Sequence, residues 1–464
     1  MSQRLLVLGG GPGGYVAALR AAHLGARVTV IESRGLGGTC LHRGCIPTKA
    51  LVATAGVLTT IRRAKEFGVR ASDQVAVDLA DVVSRKNRLV RSQTQGIEHL
   101  FKAAKISLVR GVGALTGPRS AVVRDAEGRS RSIEGDAVIV ATGSEPSRPA
   151  LFPFDGERVL TTDDALDLTR LPSSVVIVGG GVTGCEFACI FRALGAQVTV
   201  IEQVPRLVAS EDEAISALLL REMKKQGITV RLGTGVTRVE AAEHDVRVEL
   251  SSGDAVSAER VLVAVGRSLN SGEIGAAAAG LRVGARGEVV VTDDLETGVD
   301  GVWAIGDVIG RKQLAHAASA QGEVAVERAM GRAARMAWDR IPAGIFTAPE
   351  IGSVGLTEAQ ARASGGPIAV GEFPFRGLAK AHVVGEIAGF VKVVAAEDTG
   401  RVLGVHIIGP HAAELIHEAV VAMQAGARVD DVIQAIHVHP TLAEVVREAA
   451  AATRGQAVHA VRKG

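Results

Sequence analysis

The sequence predicts an α/β fold: two similar strand–helix–strand units, then a smaller α+β domain. Three observations carry that expectation. Gly9-x-Gly11-x-x-Gly14 follows an apolar strand and opens an Ala-rich helix. The same pattern returns 170 residues later as Gly179-x-Gly181-x-x-Gly184. Near residue 342 the texture changes to β alternation, and helical patterns over 412–425 and 442–451 close the chain.

Length and charge narrow the class. At 464 residues the chain is too long for one core and should divide into about three domains. The expected divisions are 1–145, 146–266, a return to the first unit over 267–340, and 341–464. Hydrophobic residues at 47% and charged residues at 22% suit an ordinary soluble enzyme. A formal net charge of +2 offers no single-sign field to draw phosphates, which argues against nucleic acid or a membrane surface as partner. No apolar run of about 18 residues, no signal-peptide pattern and no transit peptide is expected from the sequence, so a cytoplasmic protein is expected.

In the first unit, Leu5-Leu6-Val7-Leu8 is the strand, Tyr15 to Leu24 the helix and Val28-Thr29-Val30-Ile31 the next strand. Glu32 stands at its end, 18 residues after Gly14. The glycines permit a tight turn, close backbone approach to a pyrophosphate and helix-on-sheet packing. The helix N-terminus faces the phosphates and the carboxylate accepts from ribose hydroxyls, so this unit is expected to be Rossmann-like and to bind a dinucleotide.

The second unit repeats the plan. Eight of the nine residues Leu194 to Glu202 match Leu24 to Glu32. Two dinucleotide sites in one chain suggest electron transfer between two nucleotides. A carboxylate at Glu202 about 5 Å from a 2′-phosphate costs roughly 3 kcal/mol per unit charge at an effective dielectric near 20, so NAD is expected over NADP. Arg206 is the only basic residue nearby and does not outweigh it.

Between the units lies Gly37-Gly38-Thr39-Cys40-Leu41-His42-Arg43-Gly44-Cys45-Ile46-Pro47-Thr48-Lys49. The chain has four cysteines, and Cys40 and Cys45 are five apart. Closing so short a loop stabilises a fold by roughly 2 kcal/mol, which a chain of this size hardly needs. A zinc site asks for two more Cys or His ligands close by, and only His42 is near. A redox-active pair is the leading reading, with zinc ligation and inert thiols as the alternatives; no metal site is expected. Pro47 suits a first helical turn, which sets the pair at a helix start where a thiolate is favoured.

Other features are expected as follows. Arg85, Lys86, Arg88 and Arg91 form a solvated helix face, and 106–140 is a small antiparallel meander. Ala141-Thr142-Gly143-Ser144 is a turn after a strand, and Val302 to Asp307 is a strand ending in an acid placed to hold a polyol hydroxyl. Cys185 and Cys189 are small buried hydrophobes. Glu186, in the first turn of an apolar helix, needs a partner. His437, His439 and Glu444 cluster around Pro440, where an imidazole can serve a dithiol as base and a carboxylate can orient it.

Together these residues resemble the flavoprotein disulfide reductases, the class I pyridine nucleotide-disulfide oxidoreductases, over essentially the whole chain. The motifs are both fingerprints, the Cys40-x4-Cys45 stretch through Lys49, Ala141 to Ser144, Ala304 to Asp307, Phe346-Thr347-x-Pro349-Glu350, Gly404 to Pro410, and His437-x-His439-Pro440-Thr441-x-x-Glu444. The resemblance implies FAD in the first unit, NAD in the second, and a homodimer through a C-terminal interface domain that completes the partner's site. It implies that Cys40 exchanges with a substrate dithiol and Cys45 contacts the flavin. By the same likeness His439 is the acid/base, Glu444 its partner, Lys49 and Glu186 pair near the flavin ring, and Asp307 binds the ribityl chain. Within the family, Val182 and the absence of cysteine after Cys189 suit oxidation of dihydrolipoamide on a carrier protein, with hydride passing to NAD. Association with the acyltransferase core of a 2-oxo acid dehydrogenase complex goes with that activity. The alternative is an NADH-dependent reductase of another small disulfide. His42-Arg43 departs from the Asn-Val common in the family, and the sequence assigns it no role.

Overall fold

The computed structural model describes residues 2–72 and 75–460. The first unit opens with strand β1 (Arg4–Leu8), helix α1 (Pro12–His23) and strand β2 (Arg27–Glu32). Two helices follow, the short α2 (Gly38–Arg43) and the long α3 (Cys45–Arg63), separated by Gly44 alone. Helix α4 (Leu79–Ala103) starts at Asp78, whose carboxylate accepts from the N–H groups of Ala80 and Asp81. Then come β3 (Ser107–Arg110), β4 (Val112–Gly117), β5 (Ser120–Arg124), β6 (Ser130–Glu134) and β7 (Ala137–Val140). The meander expected over 106–140 is β4–β5–β6 only; β3 and β7 join β1 and β2 in a parallel sheet.

The chain leaves through β8 (Ser144–Pro146). The second unit runs β9 (Val159–Leu160), α5 (Thr162–Ala165), β10 (Ser174–Val178), α6 (Val182–Leu194), β11 (Gln197–Ile201), α7 (Glu213–Lys225) and β12 (Thr229–Arg231). A meander of β13 (Val236–Ala241), β14 (Val246–Leu250) and β15 (Ala255–Ala258) leads into β16 (Arg260–Val263). Its parallel sheet has the order β12-β11-β10-β16-β9. The chain returns through β17 (Arg267–Leu269), which pairs antiparallel with β8, so both passages between the units lie side by side. Strand β18 (Val302–Ala304) then completes the first sheet in the matching order β3-β2-β1-β7-β18. Helix α8 (Ala315–Ala329) packs against α1 so closely that a Cβ on Gly322 would lie 2.6 Å from the carbonyl oxygen of Gly13.

The last domain contains β19 (Ala343–Ile345), β20 (Glu350–Gly355), α9 (Glu358–Ala363), β21 (Ile368–Pro374), α10 (Ala379–Val383), β22 (Phe390–Ala396) and β23 (Val402–Gly409). Helices α11 (Ala412–Gln424), α12 (Val429–Gln434) and α13 (Glu444–Ala452) follow. The sheet is antiparallel with order β19-β20-β23-β22-β21. One face packs on α11 and α13. On the other, Glu372, Lys392 and His406 are register neighbours. Lys392 reaches 2.9 Å to Asp212 at the start of α7 and 2.9 Å to Glu358, a buried ionic joint to the second unit.

Two expectations need correction. Lys86 is not on a solvated face: it is 3% exposed, donates to the carbonyl of Leu166 at 3.0 Å and pairs with Asp167, closing the end of α5. The stretch Gly38–Phe67, α2 and α3 with the 3-10 turn that follows, is long and apolar enough, by length and composition, to cross a membrane, contrary to the expectation of no such apolar run. Its apolar side is instead used within the protein. Leu51 and Leu58 of α3 belong to the same core as Phe187, Ile190 and Leu194 of α6.

Candidate active site

The two fingerprints fold alike. At Gly9, φ is +101°, and a Cβ would sit 2.3 Å from the carbonyl oxygen of Ala141. A Cβ on Gly14 would sit 1.9 Å from the oxygen of Gly9. Gly179 and Gly184 repeat this, at 2.4 Å from Ala264 and 1.9 Å from Gly179. Gly11 and Gly181 differ: a Cβ on Gly11 would meet only Gly38, at 3.9 Å, and one on Gly181 would meet nothing within 4 Å. The open space lies at the N-termini of α1 and α6, where backbone N–H groups and the helix dipole favour phosphate. The outer glycines are needed by the protein's own packing, and the middle ones leave room for a ligand.

Each terminal acid is held by backbone. Glu32 accepts from the N–H groups of Gly10 and Arg34, both at 2.7 Å, and of Gly35 at 3.2 Å. Glu202 accepts from Gly180 and, at 2.8 Å, from Val204. Both line a cleft of about 2200 Å³ that reaches both fingerprints and both cysteines. That is more than twice the volume of an ordinary small-molecule pocket, so the room fits two dinucleotides. Arg206 is turned toward Ala209 and Glu213.

Cys40 lies in α2, and Cys45 is the first residue of α3. Both are free thiols, and each acts on the other's protonation. Cys45 is pulled down to about 7, first because the Cys40 thiol donates to it and then because of the Lys49 ammonium, against burial and the Glu186 carboxylate. Cys40 is pushed up, by its bond to Cys45 and by burial. In the dithiol form the negative charge therefore rests on Cys45. Cys185 and Cys189 are buried, and burial raises both thiols, Cys189 to about 11, which leaves them inert.

Lys49, one turn along α3 from Cys45, stands 2.9 Å from each carboxylate oxygen of Glu186 on α6. Glu186 is 3% exposed and also accepts from the N–H of Phe346 at 2.9 Å. The Phe346 ring lies under the ammonium, 4.5 Å from its centroid. Thus one carboxylate ties together α3, α6 and the last domain, and Glu186 has its partner.

Asp307 lines the cleft and accepts from the Ser144 hydroxyl. Arg267 donates to that hydroxyl at 2.6 Å and to the Ser144 carbonyl at 2.7 Å. Asn270 clasps the preceding turn: its side chain donates to the carbonyl of Thr142 at 3.0 Å, and its N–H to that of Gly143 at 3.0 Å. Gly143 has φ +73°, a conformation that glycine adopts without strain. Sequence reasoning missed Arg267 and Asn270, which lie over 120 residues from their partners and in no motif. It also missed Arg43, which donates to Glu145 at 2.7 and 3.2 Å and to Asp163 at 3.0 Å. His42 faces the carbonyl of Leu36 at 2.9 Å.

His439 and Glu444 form a pair, Nδ1 of the imidazole donating to Oε1 at 2.9 Å. Glu444 also accepts from the N–H of Thr441 at 3.0 Å. Burial opposes it, but these bonds hold its carboxyl below the usual range. With Nδ1 committed, Nε2 keeps the free lone pair of a base. The His439 side chain is 71% exposed and does not line the cleft that holds the cysteines. His437 is set apart from this pair, its Nε2 2.9 Å from Glu418. One chain assembles Cys40, Cys45, Lys49 and Glu186 but not His439.

Comparison with known proteins agrees with this construction. Residues 3–322 match the pyridine nucleotide-disulphide oxidoreductase family, and residues 341–450 match the dimerisation domain of that family. The chain belongs to the pyridine nucleotide-disulphide oxidoreductases. It is 41% identical over 461 residues to "dihydrolipoyl dehydrogenase 2" of Haloarcula marismortui, covering 98% of this chain and 97% of that protein. It is 42% identical over 471 residues to a dihydrolipoyl dehydrogenase of Bacillus subtilis, covering 98% of both. The crystal structure of LpdA from Mycobacterium tuberculosis superimposes with a TM-score of 0.92 at 30% identity, covering 97% of this chain and 99% of that one. Enzymes of this kind use FAD and NAD(H), and the match to the dimerisation domain fits a homodimer.

Proposed function

We propose that this chain oxidises dihydrolipoamide on a lipoyl carrier protein and reduces NAD, the activity that the Haloarcula and Bacillus relatives are named for. The observation that carries the reading is Cys45 at the start of α3 beside Lys49, a thiol pulled down to about 7 and so a good leaving group. A substrate thiolate attacks Cys40 Sγ, breaking the Cys40–Cys45 disulfide and releasing Cys45 as thiolate. The second substrate thiol then attacks the mixed disulfide, which releases Cys40 and closes the lipoyl disulfide. His439 of the partner subunit takes the proton from the attacking thiol, and Glu444 of the partner subunit holds that imidazole.

FAD, when bound, would supply a two-electron carrier between the dithiol and NAD. Residues 1–145 and 267–340 would hold it, through Gly9, Gly11, Gly14, Glu32, Gly143 and Asp307, with Lys49 and Glu186 near the flavin ring. Residues 146–266 would hold NAD through Gly179, Gly181, Gly184 and Glu202, and 341–464 would form the subunit interface. The partner is a lipoyl domain, with association to the acyltransferase core of a 2-oxo acid dehydrogenase complex, and we place the enzyme in the cytoplasm.

Steady-state NAD reduction tests the reading. Wild type should turn over dihydrolipoamide with NAD, and Cys45→Ser should not. Equal rates in the two would overturn it. Faster consumption of NADH with another low-molecular-weight disulfide, across a panel, would replace the lipoyl substrate.

A further inference from the structure

Arg43 sits between the two cysteines in the sequence, and its guanidinium is engaged by two carboxylates. It makes a two-pronged bond to Glu145 on β8, the strand by which the chain leaves the first unit. The same Nη1 donates to Asp163 on α5, which belongs to the second unit. Three bodies thus meet on one side chain: the cysteine-bearing helices, the hinge and the nucleotide unit.

The partners differ in what they lose without it. Glu145 has a second cation, Arg34, at 2.9 and 3.1 Å. Asp163 has less: among the described residues its carboxylate hydrogen-bonds only to Arg43, its Oδ1 is buried without a partner, and Arg267 acts on it only from beyond ion-pair distance. A half-buried carboxylate that loses its hydrogen-bonded cation is left poorly compensated, which favours moving the element that carries it toward water. Here that element is α5, packed against β9 and β16 at the edge of the second sheet.

We propose that Arg43 is a positioning residue for hydride transfer to NAD, locking the second unit at a fixed distance from the dithiol through Asp163. This rests on the function proposed above. It gives His42-Arg43 a division of labour: His42 closes the loop on Leu36, and Arg43 reaches across the domain boundary.

The test is anaerobic stopped-flow on the FAD-loaded enzyme, with the two half-reactions followed separately. Arg43→Met should slow reoxidation by NAD about tenfold while reduction by dihydrolipoamide changes less than twofold. Adding Asp163→Asn, which removes the orphaned charge, should restore reoxidation to within about threefold of wild type. Arg43→Lys, a point donor in place of a fork, should fall between the two and serves if Arg43→Met folds poorly. Hydrogen exchange read without substrate should be faster across 162–166 in Arg43→Met and return toward wild type in the double variant. Equal loss in both half-reactions, or no recovery with Asp163→Asn, would overturn the proposal. If dihydrolipoamide fails to reduce even the wild type, the proposed function fails, while the NAD step, run backward with NADH, still decides the role of Arg43.

Discussion

Lys49 and Glu186 meet head-on between α3 and α6, and they act on Cys45 in opposite directions. The ammonium stabilises the Cys45 thiolate and the carboxylate opposes it. In the two-electron-reduced enzyme, the thiolate-to-flavin charge-transfer band should appear as pH rises through about 7 and fade as it falls. Lys49→Met should move that midpoint up by roughly one pH unit and Glu186→Gln should move it down. An absorbance titration reads both, and shifts of the same sign would contradict the geometry.

His439 is exposed on one chain and absent from that chain's cysteine cleft. Cys45→Ser and His439→Gln should each be inactive, the latter by about a hundredfold or more. Unfolded together and refolded as mixed dimers, they should recover about a quarter of wild-type activity, because half the dimers then hold one intact site of two. No recovery would mean that each chain completes its own site.

Glu202 lines the cleft, and in the proposed NAD site its carboxylate would meet a 2′-phosphate. Wild type should prefer NAD over NADP by about a hundredfold or more in kcat/KM. Glu202→Gly should narrow the ratio chiefly by improving NADP, read from steady-state kinetics with both nucleotides.

The middle and outer glycines should respond differently to one methyl group. Gly184→Ala drives a Cβ to 1.9 Å from a backbone oxygen and should cost several kcal/mol of stability in the second unit. Gly181→Ala meets nothing within 4 Å, so thermal unfolding should stay within about 1 kcal/mol of wild type while the KM for NAD rises at least tenfold. Calorimetry paired with kinetics checks both.

The parts legible in the sequence were those whose cause is local. The two fingerprints, the helix begun at Cys45 and the His439–Glu444 pair all lie within short windows, and the structure folds them as the patterns imply. Lys86 was misread because one buried cation in a basic helix looks like its exposed neighbours; only Leu166 and Asp167, 80 residues on, distinguish it. Arg43, Arg267 and Asn270 were silent for the same reason: the partners of Arg43 lie far along the chain on β8 and α5, and Arg267 and Asn270 meet theirs only when the chain returns through β17. The row Glu372–Lys392–His406 needs the sheet register before it exists at all.

The side-by-side passages of β8 and β17 make the second unit an insertion, entered and left at one point. Such an insert invites exchange: a nucleotide module of different preference can be grafted where this one stands, with two short joins. Helices α2 and α3 set the terms of compatibility. From α2, Arg43 reaches Asp163; from α3, Lys49 reaches Glu186 and Arg62 reaches the carbonyl of Ala193. On the roles proposed for Arg43 and Lys49, a graft that keeps an acid at each of the first two positions and an open helix end at the third should keep the electron path. One that lacks them would bind its nucleotide and leave it idle.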